Sequence, residues 1–117
     1  MTRPLPVPML TSATRFTIVA LLGAAQEVEF GVVRDAAELS DSALSKQASA
    51  LEAAGYLTVR KGQFARRPRT WLALTDAGRT ALKRHVAALN AIMAAAEHTL
   101  AAAGRNPQQD RDGQAPE

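Results

Sequence analysis

Between Phe30 and Leu74 the spacing of apolar residues changes from a helical period to a period of two, and few folds accommodate that change within 45 residues. The first part predicts a short helix over about Gly31 to Leu39, with Val32, Val33, Ala36 and Leu39 on its inner face. Ser40 is suited to cap a following helix, and Asp41 in the first turn complements the helix dipole. Leu44, Ala48 and Leu51 recur at i, i+4 and i+7, so that helix is expected to run to Ala54, where Gly55 supplies a left-handed cap. Tyr56–Lys61 and Thr70–Leu74 then alternate apolar and polar side chains as half-buried strands do. GQFARRPR lies between them, with Gly62 placed for the turn and Pro68 unsuited to a central ladder position.

The flanks are simpler. Residues 1–10 contain RPLPVP, whose prolines disfavour helix and predict an extended arm. Thr11 and Ser12 precede FTIVALLGAA, a helix with Phe16, Val19 and Leu22 inward, joined by Ile18 and Leu21 on a broad stripe. Residues 27–30 suffice only for a connection or an edge strand. Thr75 caps a last helix expected over 76–103, whose 28 residues would span roughly 42 Å. Leu82, Val86, Leu89, Met93, Ala96 and Leu100 follow one another at intervals of four and three, an a/d seam of nearly three heptads. Leu82 and Val86 are expected nearer the body, and the later positions nearer a partner. Residues 104–117 have no large apolar side chain and are expected to be disordered, leaving 11–103 as the folded domain.

Charge is concentrated where the strands are. Residues 56–84 hold eight basic side chains and one acidic, whereas the blocks before and after are each net negative. Such a focused patch on a chain of net charge +3 suits a specific polyanion. The chain has no cysteine, which excludes disulfides, thiol nucleophiles and cysteine-ligated metals. Met1–Pro8 is too short and proline-rich for a signal core, and no run reaches about 18 apolar residues, so a cytoplasmic protein without a membrane partner is expected.

Three surfaces are candidates for function. On the helix over 41–54, Ser42, Ser45, Lys46, Gln47 and Ser49 form a small, polar, nearly uncharged face that can approach base edges in a major groove. Gln47 sits at the boundary of that face. The bland alternative, a solvated surface helix, usually carries more Glu/Lys pairs. In the ribbon, Arg60, Lys61, Arg66, Arg67 and Arg69 meet no acid, and arginine forks suit phosphate; Lys61, Arg66, Arg67, Arg69 and Thr70 are the expected DNA contacts there. A solvated loop is the bland reading of the same charges, and a single-strand RNA platform would need more aromatic residues than Phe64. On the last helix, Leu89, Met93, Ala96 and Leu100 are expected at a homodimer interface. His85 and His98 lie 13 residues apart on that helix, about 20 Å by rise, too far to share a metal ion. No catalytic residue, metal site or cofactor is expected.

LSDSALSKQASALEAAGYLTVRK followed by RRPRTWLALTDAGRTAL resembles the small winged helix-turn-helix regulators related to the MarR and ArsR groups, over about residues 11–95. Leu51–Tyr56 (LEAAGY) and Leu74–Arg79 (LTDAGR) are its most specific pieces. The resemblance implies a mainly α fold with a small β-hairpin (α+β), a winged helix-turn-helix with a long C-terminal dimerisation helix. It also implies a homodimeric DNA-binding regulator that places the helix over 41–54 in the major groove of double-stranded DNA and the wing over 60–70 on the backbone or minor groove, and a repressor is the expected role. The cysteine and histidine/carboxylate clusters of metal-sensing relatives are missing, as are most of the terminal helices that form effector pockets, so no small-molecule effector is assigned. A protein-interaction module whose ribbon docks on an acidic partner is the alternative.

Overall fold

The computed structural model describes residues 3–104. The expected tail therefore lies outside the described residues from position 105 onward. Four helices and a three-stranded antiparallel sheet follow one another as α1 (Ala13–Gly23), β1 (Val28–Glu29), α2 (Phe30–Ala36), α3 (Asp41–Ala53), β2 (Leu57–Phe64), β3 (Arg67–Leu74) and α4 (Asp76–Ala102). The sheet order is β1-β3-β2, with Val28 opposite Leu72, Leu57 opposite Leu74 and Phe64 opposite Arg67. This is the winged helix architecture: a helical core, a helix-turn-helix, and a ribbon that returns the chain to a long final helix.

Three of the four helices, α1, α3 and α4, start at the cap the sequence predicts, whereas α2 starts at Glu29 without a side-chain cap. The hydroxyls of Ser12, Ser40 and Thr75 accept the backbone N–H groups of Arg15, Ala43 and Gly78, satisfying donors that a helix start leaves unpaired. Ile18, Val19 and Leu22 of α1 meet Leu44 and Leu51 of α3 and Leu57, Leu72 and Leu74 of the sheet in one core. Burying an aliphatic side chain of this size contributes about 1.5–3 kcal/mol, which fastens α3 by its inner face and leaves the outer one free. Phe16, expected inside, is half-buried and tilts against the His85 ring.

Two motifs lock together where the sheet meets α4. Gly55 has φ 84°, as a left-handed cap requires. The Thr75 hydroxyl donates to the Gly55 carbonyl, and the Thr75 N–H donates to the Tyr56 carbonyl. Gly78 lies so close to that Tyr56 carbonyl that a Cβ would overlap its oxygen. The next residue, Arg79, donates to the carbonyls of Ala25 and Gly23, satisfying acceptors at the C-terminal end of α1. Gly55–Tyr56 and Thr75–Arg79 thus form one joint between the end of α3, α1 and α4.

Several expectations change. The proline-rich arm is not wholly extended: Pro8–Leu10 makes one 3-10 turn, which needs little more than the Leu10 N–H to Val7 carbonyl bond, and Val7 and Leu10 are core residues. The helix expected over 31–39 ends at Ala36, because Glu38 takes a positive φ of 57° and the Leu39 N–H turns back to the Arg34 carbonyl. A helix of seven residues packs along one edge only, so Val33 is buried while Val32 and Ala36 face outward. Both strands of the ribbon are longer than predicted, and the turn is Ala65–Arg66 rather than Gly62. Both turn residues have positive φ, 53° and 65°, the geometry that matches a two-residue hairpin to strand twist. Gly62 lies inside β2 opposite Arg69. Val86 also departs from its expected place, because α4 meets the body through Ala81, His85 and Ala88 instead.

Candidate nucleic-acid interface

The chain reversal before α3 sets how that helix is presented. Arg34 of α2 donates through Nε to Asp35 (2.9 Å) and through Nη1 to Asp41 (2.8 Å) at the start of α3. Hydrogen bonding to Arg34 holds the Asp35 carboxyl below its ordinary range and raises the guanidinium above its own. An exposed pair of this kind adds little stability. Its effect is positional, since it ties the two helices across the strained residue Glu38 and neutralises Asp41.

With Leu44, Ala48 and Leu51 turned into the core, helical geometry sends Ser42, Ser45, Lys46 and Ser49 outward, and all four are exposed. Gln47 is different. It is half-buried on the flank toward α1, where Arg15 Nη1 donates to its Oε1 at 3.2 Å.

Strand alternation divides the wing residues between two faces and a tip. Lys61 and Thr70, paired across the ribbon, share an open groove of about 750 Å³ with Ser45 and Ser49 of α3. Asp41 and Glu52 stand along the same groove. Arg69 lies on the opposite face, in a smaller cleft with Glu29, Phe64 and Trp71. Arg67 precedes Arg69 by two residues on that outer face, and Arg66 stands at the turn. The expected DNA-contacting residues therefore form an inner set facing α3 and an outer set of arginines along the ribbon. Lys61, Arg66, Arg67 and Arg69 are exposed and make no ion pair with the described residues.

Arg60, one of the five ribbon cations, is engaged within the fold. Its Nε and Nη2 donate to the two oxygens of Glu27 at 2.8 Å each, and its guanidinium lies 4.1 Å from the Trp71 ring centroid. The Arg60 hydrogen bonds hold the Glu27 carboxyl below its ordinary range. This cluster braces the base of the wing. Reading the sequence missed it because Glu27 lies 33 residues from Arg60, and only the β1–β3–β2 order brings them together. The Arg15–Gln47 hydrogen bond, 32 residues apart, was hidden for the same reason.

Beyond the body, α4 leaves Leu89 39% exposed, Ile92 49%, Met93 65% and Leu100 46%, with Ala96 also partly open to solvent. His85 and His98 separate as predicted: the first is buried and accepts the Val7 N–H through Nδ1, and the second is exposed. Among the described residues no group of three or more His, Asp or Glu side chains is placed to hold a metal ion, and no helix is long and apolar enough to cross a membrane.

A family model for the winged helix DNA-binding domain matches residues 14–93. No curated protein sequence matches the chain. Among solved structures, a transcriptional regulator homologue from Pyrococcus horikoshii OT3 is similar at a TM-score of 0.70 and 26% identity, over 75% of this chain and 87% of that one. A MarR family transcriptional regulator from Silicibacter pomeroyi DSS-3 is similar at 0.53 and 20%, over 75% and 61%. The apo form of MarR from E. coli is similar at 0.58 and 15%, over 67% and 60%. The last two likenesses concern the fold alone.

Proposed function

The chain belongs to the winged helix DNA-binding domain family, and from that premise we propose that it is a sequence-specific, homodimeric regulator of transcription that represses by occupying its DNA site. The observation that carries this reading is the pairing of two unlike surfaces across one groove. The outer face of α3 is small and polar, so it can approach base edges closely. Lys61 and Thr70 face it from the wing, and Arg66, Arg67 and Arg69 supply cations along the ribbon for phosphate. In this arrangement α3 enters the major groove and the ribbon lies on the backbone or in the adjacent minor groove.

One copy offers one short reading helix. Leu89, Met93, Ala96 and Leu100 form an exposed apolar seam on α4 that a second copy would cover, as MarR-like proteins typically pair. Two copies related by a two-fold axis would read an inverted repeat with half-sites about 10 bp apart. Selecting duplexes from a random pool and comparing selected with scrambled sequence by gel shift tests the reading. Preferential retention of the selected duplex is expected. Equal retention at low salt would leave the ribbon as a docking site for an acidic protein, and preference for single strands would point to RNA.

A further inference from the structure

We propose that Arg15 is a positioning residue that orients the Gln47 amide, so that Gln47 meets a hydrogen-bond acceptor on the DNA, such as guanine O6 or N7 or thymine O4, and not the donor–acceptor edge of adenine. This rests on the DNA-binding reading of α3. A glutamine free to rotate matches adenine with both ends of its amide, the oxygen taking the N6 hydrogen and the nitrogen donating to N7. Gln47 is not free to rotate. Arg15 Nη1 lies 3.2 Å from its Oε1, and a guanidinium carries donors only, so the atom facing it has to be the oxygen. A flipped amide would set N–H against N–H. Arg15 is itself held, since its Nε donates to the Met9 carbonyl at 2.6 Å, and Met9 packs against the core beside Val7 and Leu10. The oxygen is thereby directed at α1, and Nε2, with its two donors, is the atom directed away from it. Lys46 beside it is also a donor without acceptor capacity, so this end of the reading surface is complementary to acceptor-rich base edges.

The test compares the full-length wild type with Gln47→Met, Gln47→Glu and Arg15→Met by selection from random duplexes and by titration on the selected site. The base contacted by Gln47 is the one whose preference disappears in Gln47→Met. That base is expected to be guanine or thymine in the wild type, and Arg15→Met is expected to shift it toward adenine by roughly tenfold. Gln47→Glu still accepts from Arg15 but has no donors. It should keep its melting temperature while losing at least about tenfold in affinity for the selected site. Should Arg15→Met unfold because the bond to Met9 is gone, the two Gln47 variants decide the matter alone. An adenine at that position, or Gln47 variants that bind like the wild type, overturns the inference while leaving the DNA-binding reading intact. A wild type with no sequence preference overturns both.

Discussion

The Thr75 hydroxyl donates to the carbonyl of Gly55 at 2.6 Å while accepting the N–H of Gly78 at 2.9 Å. One side chain thus caps α4 and anchors the end of α3. Thr75→Ala should destabilise the protein by about 1–2 kcal/mol, and Thr75→Ser should recover most of that loss. Urea unfolding of the three proteins checks it; equal stability of Ala and Ser variants would show that the hydroxyl is not the cause.

Glu38 terminates α2 with φ 57°, a conformation that L-residues avoid. Glu38→Gly should remove that strain and raise stability by about 0.5–1 kcal/mol, the relief outweighing the added chain entropy. A rise in melting temperature is the expected reading. A fall would mean that the Glu38 side chain contributes more than its backbone costs.

Glu27 offers a pH test. Its carboxyl is held below the ordinary range by hydrogen bonds from Arg60, so its contribution is present above the unfolded value and lost as pH falls through the folded one. Arg60 lies over Trp71, the only tryptophan in the chain. Tryptophan emission should therefore change in acid below the usual glutamate range, and the change should vanish in Glu27→Gln. Identical acid titrations of the two proteins would break the link between the pair and the indole.

Removing the wing cations separates affinity from recognition. Arg66, Arg67 and Arg69 together replaced by Ala should weaken binding to all duplexes. The log–log dependence on salt should flatten by roughly 0.9 for each phosphate that is no longer neutralised. An unaltered slope would place these arginines away from DNA.

The α4 seam is probed by Met93→Lys with Leu100→Lys. Both side chains are exposed in the single chain, so the protomer should fold normally while its sedimenting mass falls from that of a dimer to that of a monomer. Unchanged mass would overturn the proposal that this seam is a dimer interface.

Much of this molecule is legible locally. The caps of α1, α3 and α4, the apolar row of α3 and the two-residue alternation of the ribbon depend on neighbours within four residues, and they lie where the sequence places them. The same locality exposes Ser42, Ser45, Lys46 and Ser49 together, because burying one helix face determines the other. What the sequence alone could not decide is how each outward charge is used. Arg60 and Arg66 look alike in a basic run, yet one is engaged by Glu27 and Trp71 and the other stands at the turn. Gln47 looks like Ser45, yet its oxygen belongs to Arg15. The Glu27–Arg60 and Arg15–Gln47 pairings join residues more than thirty positions apart and are made only once α1, α3 and three strands have packed. Local periodicity specifies which face of an element is buried; the tertiary fold alone sets which distant side chain lies opposite it.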